Sequence, residues 1–531
     1  MKKNYFLLNS LIVLLWVNST TNGQPPIKWQ KALGGSDYDA AYGMTKTIDN
    51  GFITVGETHS PNDGDVTGYN GGFADVWIVK LDANGNLEWQ KCLGGSGNDG
   101  GSSIIQTTDS GYIFVGYTTS NDSNVNGNHG GFDMWVVKLD ANGNLLWQKS
   151  LGGTWDDYGM SVVQTTDGGY AVGGTSYSYN GDVSGNHGNG DFWVVKLDAS
   201  GNIQWQKALG GSDLDQLNAL AQTADGSYVA IGGTSSNDGD VSGNHGGADM
   251  WVVKLSASGN IQWQKALGGT MSDGGFSIIQ TNDGDFIISG STASNDGNVS
   301  GNHGGNSDNW VVKLNVNGNL LWQKALGGSA SDQGFSVIQT IDNGYTIAGF
   351  SSSNDGDVSG NHGQNDMWII KLDASGNIQW QKALGGSGSE IAYSIIEVAD
   401  SNSYVIAGRT TSNDGDVSGN HGNYDFWVVK ISDMVSDADN YRLDTDQHGY
   451  LRVWPNPTQG LVNLTYNLTT NSTTMKVEVS ICDILGREVM RIPVLGTVGE
   501  NKIEIDISDL VKGVYVIKVA GYNPESLILN P

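Results

Sequence analysis

Apolar and polar residues alternate along most of this chain in short runs, and the runs recur in one fixed order. In the copy around residues 332–382 the alternating runs lie at 335–340, 345–349, 367–372 and 378–384. A period of two residues is typical of a half-buried β-strand. Turns that contain glycine, at 342–344 and 373–376, separate the first two runs and the last two. Because glycine supplies the positive φ of a tight hairpin, the unit is predicted to form four antiparallel strands.

This four-run unit is repeated along the chain. The tripeptide Trp-Gln-Lys marks each copy, with its tryptophan at Trp29, Trp89, Trp147, Trp205, Trp263, Trp322 and Trp380. Successive copies are 58 to 60 residues apart. A fixed period in this range indicates a repeat architecture, and four antiparallel strands per unit are typical of a β-propeller blade.

The two ends of the repeat array predict that the blades close into a ring. Residues 27–33 correspond to a fourth strand without the first three, and residues 426–431 to a third strand without a fourth. If the N-terminal strand completes the last blade, both exposed sheet edges disappear. We therefore predict an all-β fold, namely a seven-bladed β-propeller over residues 24–431 that its N-terminal strand closes.

The repeat also resembles a known family. The segments 249–255 (Asp-Met-Trp-Val-Val-Lys-Leu), 258–263 (Ser-Gly-Asn-Ile-Gln-Trp) and 267–269 (Leu-Gly-Gly) are similar in order and spacing to the bacterial extracellular β-propeller repeat called SBBP. The resemblance covers about residues 27–431. It implies a propeller fold and an extracellular setting, without a defined reaction.

The chain changes character after the last repeat. Residues 432–450 are acidic and unpatterned, and we predict that they form a linker. Over 451–531 the alternating runs return, and three segments, 453–460, 479–487 and 505–515, resemble the type A sorting domain of the type IX secretion system of Bacteroidetes-type bacteria. The residues that carry the sorting motif are Pro455, Asn456, Pro457, Gly486, Gly513 and Tyr515.

This second resemblance implies a small C-terminal β-sandwich that the outer-membrane export machinery recognises. Residues 1–23 are consistent with it, because Lys2 and Lys3 precede an apolar stretch at 6–17 that is too short for a membrane span. We predict a signal peptide there, no membrane span elsewhere, and a protein that passes through the periplasm and is secreted or displayed at the cell surface.

The charge of the chain limits its partners. The formal net charge is −29, and removal of a signal peptide that carries two lysines makes it more negative. A polyanion is repelled by nucleic acid and by anionic membranes. Cations, or neutral polar ligands such as glycans, suit it better. The two cysteines are too few for a disulfide framework.

Carboxylates recur at one position of every copy, four residues after the Gly-Gly pair. They are Asp39, Asp99, Asp157, Asp215, Asp273, Asp332 and Glu390. Since they lead into the innermost strands, we predict that they ring one mouth of the central channel. Hard oxygen ligands at this density suit calcium, the one cofactor that the sequence indicates. The alternative is that these acids stabilise turns by capping nearby backbone amides.

A specific ligand site has to break the sevenfold repeat, so positions where the copies differ are the more informative. The residue after the second-strand glycine is Glu57, Tyr117, Thr175, Gly233, Ser291, Phe350 or Arg409. We select Glu57, Tyr117, Phe350 and Arg409 as candidate ligand-binding residues. Ring closure places the blade of Arg409 beside the blade of Glu57, where the two could form a ligand clamp, an inter-blade ion pair or two independent surface charges.

No arrangement typical of catalysis stands out, and we select no catalytic residue. The sequence lacks a Ser-His-Asp order, a phosphate-binding glycine loop and a Cys/His metal cluster, and its paired acids recur in every copy. The preferred function is a binding or adhesion scaffold whose partners are glycans or surface proteins, together with the type IX machinery. The alternative is an extracellular enzyme acting on polysaccharide, with its site on the acidic face of the propeller.

Overall fold

The computed structural model describes residues 25–398 and 403–432, together with strands of the C-terminal region between residues 451 and 529. The predicted signal peptide, the predicted linker after Ser432, and the motif residues Pro455, Asn456, Pro457, Gly486 and Gly513 lie outside the described residues. Tyr515 is the first residue of a strand.

The strands of residues 25–432 follow the predicted order of four per repeat. They are β1 (Ile27–Leu33), β2 (Asp39–Lys46), β3 (Phe52–Thr58), β4 (Asp75–Leu81), β5 (Leu87–Leu93), β6 (Asp99–Gln106), β7 (Tyr112–Thr118), β8 (Asp133–Leu139), β9 (Leu145–Leu151), β10 (Asp157–Gln164), β11 (Tyr170–Ser176), β12 (Asp191–Leu197), β13 (Ile203–Leu209), β14 (Asp215–Gln222), β15 (Tyr228–Thr234), β16 (Asp249–Leu255), β17 (Ile261–Leu267), β18 (Asp273–Gln280), β19 (Phe286–Thr292), β20 (Asp308–Leu314), β21 (Leu320–Leu326), β22 (Asp332–Gln339), β23 (Tyr345–Ser351), β24 (Asp366–Leu372), β25 (Ile378–Leu384), β26 (Glu390–Val398), β27 (Ser403–Thr410) and β28 (Asp425–Ser432).

These strands form seven four-stranded antiparallel sheets, numbered here as blades 1 to 7 in chain order from β2. Blades 1 to 6 each contain four consecutive strands, from β2–β5 to β22–β25. Blade 7 contains β26, β27 and β28, and its fourth strand is β1 from the other end of the array. The ladder pairs Gln30 with Val429 and Leu33 with Phe426. The predicted seven-bladed propeller, closed by its N-terminal strand, is confirmed.

Tryptophans hold neighbouring strands and neighbouring blades together. The third strand of each blade carries a fully buried tryptophan, and the indole N–H of Trp77 donates to Gln90 Oε1 at 2.8 Å. That glutamine belongs to the repeated Trp-Gln-Lys, so the motif satisfies a buried donor that would otherwise be costly. The tryptophan of the motif contacts an aromatic ring of the next blade, as Trp89 does with Tyr112 at 6.0 Å between ring centroids.

Each innermost strand contains a β-bulge at the same place. In β2 the register shifts between Ala41 and Gly43, which leaves Tyr42 outside the ladder. The corresponding bulged residues of the other blades are Ser102, Met160, Asn218, Phe276, Phe335 and Tyr393. A bulge turns a side chain away from the regular alternation, and here it does so once per blade on the strand nearest the axis.

The C-terminal region forms two sheets of its own. Its strands are β29 (Leu451–Trp454), β30 (Leu461–Leu468), β31 (Thr474–Asp483), β32 (Glu488–Thr497), β33 (Gly499–Asp506), β34 (Tyr515–Ala520) and β35 (Leu527–Leu529). One sheet has the order β29-β30-β33 and the other β32-β31-β34-β35. The packing of these sheets into a sandwich stays a prediction. Across the part of the chain that the structure describes, no helix is long and apolar enough to cross a membrane.

Candidate functional site

The bulged residues of all seven blades line one cavity on the propeller axis. Its volume is about 540 Å³, and Tyr42, Asn218, Phe276, Phe335 and Tyr393 are among its walls. Small-molecule sites in proteins have volumes of roughly 300–1,000 Å³. Serines that follow the bulged positions, such as Ser277 and Ser394, also line this cavity. The channel therefore offers both aromatic surface and hydrogen-bonding groups.

Four aromatic side chains of the channel contact one another in sequence across adjacent blades. Ring centroids are 5.0 Å apart between Phe276 and Phe335, 5.3 Å between Phe335 and Tyr393, and 5.1 Å between Tyr393 and Tyr42. These distances lie in the range of favourable aromatic pairs. The four residues come from blades 5, 6, 7 and 1, and we call them the aromatic arc. The arc breaks the sevenfold symmetry of the scaffold.

A chain of hydrogen bonds connects the arc to Glu57. The hydroxyl of Tyr42 donates to Glu57 Oε1 at 2.9 Å, and the hydroxyl of Tyr117 donates to Glu57 Oε2 at 2.5 Å. The hydroxyls of Tyr38 and Tyr42 are 3.1 Å apart. Arg409 Nη1 donates to the hydroxyl of Tyr38. The series Arg409, Tyr38, Tyr42, Glu57 and Tyr117 thus spans blades 7, 1 and 2.

The tyrosine hydroxyls in this series of hydrogen bonds stay protonated at any physiological pH. Burial, and next the negative charge of Glu57, raise the pKa of Tyr42 and of Tyr117 far above the usual value for tyrosine. Because both hydroxyls donate to Glu57, the hydroxyl of Tyr38 must donate to Tyr42 and accept from Arg409. Along the path from Arg409 through Tyr38 and Tyr42 to Glu57, each group therefore donates its hydrogen bond in the direction of the Glu57 carboxylate.

Arg409 lies among aromatic rings. Its guanidinium carbon is 4.8 Å from the ring centroid of Tyr424, 5.5 Å from that of Tyr38 and 5.7 Å from that of Tyr393. Such contacts stabilise a cation through the electron-rich faces of the rings. The Nε atom of Arg409 is buried and has no hydrogen-bond partner among the described residues.

All four residues selected from the sequence lie on this network. Glu57 and Tyr117 are in direct contact, and Arg409 reaches Glu57 only through two phenols, with no direct ion pair between the two in the described part of the chain. Phe350 is 5.9 Å from Phe335 of the arc. Their role in ligand binding stays a prediction.

Sequence analysis missed the bulged residues, which form most of the channel wall. A signal for them was present, because the fourth residue of the first strand changes between copies as strongly as the position of Glu57 does. It is Tyr42, Ser102, Met160, Asn218, Phe276, Phe335 or Tyr393. An alternating strand pattern, however, assigns this residue to the ladder and not to the channel.

The repeated first-strand acids are buried and do not line the open mouth of the channel. Each accepts a hydrogen bond, at 2.7–2.9 Å, from the backbone N–H of the second glycine in the preceding Gly-Gly pair. Asp39 also accepts from the hydroxyl of Ser60 at 2.9 Å, and Ser60 lies in the loop between the second and third strands. The acids thus tie two loops together, as the capping alternative describes.

A second carboxylate faces each of these acids from the third strand of the preceding blade. In six blades its Oδ2 atom lies 2.6–2.8 Å from a histidine Nδ1, as between Asp249 and His245, while its Oδ1 atom is buried without a partner among the described residues. Burial raises the pKa of Asp39, Asp75 and Asp133 to about 6.

Two carboxylates per junction are fewer than the six to eight oxygen ligands that calcium takes. Within the described ranges, no group of three or more His, Cys, Asp or Glu side chains could hold a metal ion. Backbone carbonyls or water would have to supply the remaining ligands. The calcium site stays a prediction.

One family model matches the chain, at its C-terminal end. Residues 452–527 match the secretion system C-terminal sorting domain. The match confirms the predicted sorting domain and its interaction with the type IX secretion machinery. With the observed fold, it defines the chain as an exported seven-bladed β-propeller protein that reaches the cell surface or the extracellular space.

A curated relative shares part of the repeat region. The regulatory protein FlaEY of Caulobacter vibrioides is 32% identical over 227 residues, which are 39% of this chain and 23% of that protein. The chain therefore spans less than a quarter of the relative's length. The assignment of the repeats to the SBBP type stays a prediction.

Solved structures with similar topology are remote in sequence. The WD40 domain of Neurospora crassa Pan2 is 11% identical, with a TM-score of 0.42, over 76% of this chain and 95% of that one. A fungal alcohol oxidase in complex with copper is 12% identical, with a TM-score of 0.47, over 95% and 99%. A puromycin hydrolase is 12% identical, with a TM-score of 0.43, over 82% and 60%. At these levels of similarity none of them bears on the function.

Proposed function

We propose that this exported propeller is a binding or adhesion protein whose ligand site is the aromatic arc of the central channel together with Glu57, Tyr117, Phe350 and Arg409. The observation that supports this most is the joining of these residues into one network of ring contacts and hydrogen bonds across blades 5, 6, 7, 1 and 2. Residues that only hold blades together recur in every copy, whereas Glu57, Tyr117, Phe350 and Arg409 each occur once at their repeat position, and the arc residues lie at a position that also varies between copies.

Glycans are the ligand class that suits this site. Sugar rings carry apolar faces that stack on aromatic side chains, and their hydroxyls need donors and acceptors. The channel supplies rings at Tyr42, Phe335 and Tyr393, and hydroxyls at Ser277 and Ser394. Surface proteins that carry such glycans are the partners expected for an adhesion protein.

The test is a glycan array probed with the full-length protein and with the Tyr42→Ala, Tyr393→Ala double variant. We expect the wild type to bind a restricted set of glycans and the double variant to lose at least about tenfold in affinity, since each aromatic contact is worth roughly 1–3 kcal/mol when a large ring is buried. Replacement of Leu146, which is exposed on β9, by alanine is the control and should leave binding unchanged. Equal binding by all three proteins would contradict the proposal.

A polysaccharide-active enzyme is the second candidate, and one observation favours it. Glu57 faces the channel tyrosines and lies 4.0 Å from His59 Nε2, so a carboxylate and an imidazole meet beside the cavity. Incubation of the array ligands with the protein, followed by mass spectrometry, distinguishes the two functions. Shortened products that disappear in Glu57→Gln would favour the enzyme, and intact ligands would favour the binding protein.

Two further proposals concern export and calcium. Residues 1–23 would direct the chain across the inner membrane before the sorting domain acts, and mass spectrometry of the secreted protein should then give an N-terminus at Gln24.

Calcium would bind at the junction carboxylates such as Asp39 and Asp425. An unchanged melting temperature after chelation would rule out calcium as a stabilising ligand.

A further inference from the structure

Arg409 is a half-buried cation that, among the described residues, has no carboxylate partner, unlike most of the buried lysines of the propeller. Six buried third-strand lysines are each paired with a carboxylate, at 2.6–3.1 Å between Nζ and oxygen, and they are Lys80, Lys138, Lys196, Lys254, Lys313 and Lys371. In the described ranges no carboxylate lies within ion-pair distance of Arg409, whose contacts are phenol rings and one phenol hydroxyl.

Among the described residues, this guanidinium makes one hydrogen bond, through Nη1. A guanidinium carries five N–H donors in a planar fork. Within the protein Nη1 donates to Tyr38, and Nε has no partner among the described residues. A planar fork matches the geometry of a carboxylate, with which it forms two parallel charge-assisted hydrogen bonds.

Glu57 does not neutralise this charge by contact. Both of its carboxylate oxygens already accept hydrogen bonds from phenols, one from Tyr42 and one from Tyr117. Two hydroxyl groups, those of Tyr38 and Tyr42, stand between the carboxylate and the guanidinium. The site therefore keeps a cation and an anion apart instead of pairing them.

Arg409 adjoins the cavity through a shared side chain. Tyr393 lies on the cavity wall and is also one of the rings beside the guanidinium, at 5.7 Å from its carbon. Tyr42, the next member of the aromatic arc, lies 5.1 Å from Tyr393. Arg409 is not itself a lining residue of the cavity, so a ligand carboxylate would have to reach it past the ring of Tyr393.

We propose that the channel binds an acidic sugar, whose ring stacks on Tyr42 and Tyr393 and whose carboxylate pairs with Arg409. This inference rests on the proposed function, because it requires a glycan in the channel. The net charge of −29 repels such a ligand at long range, so the affinity comes from contact with Arg409. Salt screens the long-range repulsion more than it screens a partly buried contact.

The test compares two forms of one probe by titration calorimetry with the full-length protein. Short oligogalacturonates are used as the free acid and as the methyl ester, which differ in charge and little else. We expect the acid to bind the wild type at least about tenfold more tightly than the ester, since a hydrogen bond to a charged group contributes roughly 1.5–3 kcal/mol. Arg409→Gln should remove this difference.

Lys207→Gln is the matched control, because it removes one positive charge from β13, an outermost strand, and should keep the preference for the acid. Equal binding of acid and ester by the wild type would overturn the inference and leave the proposed function standing. A preference for the acid that persists in Arg409→Gln would overturn it too. If neither form binds and the glycan array identifies another ligand, the inference of an acidic sugar is wrong and the proposed function stands. If the array shows no bound glycan either, the proposed function is wrong as well.

A second variant keeps the test decisive if Arg409→Gln does not give the melting curve of the wild type. Arg409→Lys retains the charge and loses the planar fork, so the preference for the acid should fall at least about threefold. An unchanged preference in this variant would overturn the inference.

Discussion

At the scale of single residues, the first glycine of each Gly-Gly pair is held between two buried carboxylates. A Cβ atom at Gly268 would lie 2.6 Å from Asp249 Oδ1 and 2.6 Å from Asp273 Oδ2. Both carboxylates are fixed by hydrogen bonds, Asp249 by His245 and Asp273 by the backbone of Gly269, so neither can move away cheaply. The repeated Gly-Gly is therefore required by packing.

Replacement of this glycine is expected to destabilise the propeller. Gly268→Ala should cost about 1–3 kcal/mol of the free energy of unfolding, in the range of overpacked cores. Gly274→Ala, six residues further along the chain on β18, is the matched control, because a Cβ atom there meets nothing within 4 Å. Denaturant unfolding checks both variants. A Gly268→Ala protein as stable as Gly274→Ala would contradict the account of the Gly-Gly pair.

At the scale of strands, β1 carries the closure of the ring. It pairs with β28 along its length, and Gln30 accepts the indole N–H of Trp427 at 2.9 Å. The same contact joins the third and fourth strands inside the other blades, as between Trp77 and Gln90. The closure therefore uses the ordinary bonds of a blade, made between the two ends of the array.

Removal of β1 should open the ring. A protein that lacks residues 24–33 would leave β28 as an exposed edge with an unpaired buried indole, and we expect a lower melting temperature and aggregation. A synthetic peptide with the sequence of β1 should raise the melting temperature again, and a scrambled peptide should not. A truncated protein as stable as the wild type would contradict the role of β1.

Strand-level features divide into those that the sequence predicts and those that it does not. The order and ends of the strands follow from alternation and turn residues, which act locally, and the unpaired strands at 27–33 and 426–431 predict the closure. The bulge at Tyr42 depends on the register between β2 and β3. The burial of Asp39 depends on contacts between blades. Neither the bulge nor the burial is encoded in a pattern within one strand.

At the scale of the whole molecule, the junctions between blades carry many buried carboxyl groups. Burial raises the pKa of Asp39, Asp75 and Asp133 to about 6, above the value of about 3.9 for an exposed aspartate. The folded state then binds more protons than the unfolded state between about pH 4 and pH 6. By linkage, stability falls as the pH rises through this window.

The propeller should consequently be more stable at pH 5 than at pH 7.5. Below pH 4 stability should instead fall as the pH falls. A hydrogen bond from Thr165 and an ion pair with Lys196 lower the pKa of Asp167 to about 2, and both interactions are lost when Asp167 is protonated. Denaturant midpoints measured between pH 3 and pH 8 test this profile. Asp133→Asn, which is neutral throughout, should flatten the slope above pH 4. A midpoint that rises from pH 5 to pH 7.5 would contradict the prediction.

The whole molecule combines a repeated scaffold with one irregular channel. The scaffold is uniform because every blade needs the same tryptophans, glycines and carboxylates, and the channel is irregular because bulged residues are free of those demands. The sorting domain directs export of the protein to the cell surface or the extracellular space. From these features follows the central claim that a ligand binds on the axis of the propeller.

A crystal structure of the full-length protein with the tightest glycan from the array tests this claim most directly. We predict that the glycan lies in the channel with a sugar ring against Tyr42, Phe335 or Tyr393. A glycan bound at the outer rim of the blades or on the C-terminal region, with the channel empty, would contradict the account.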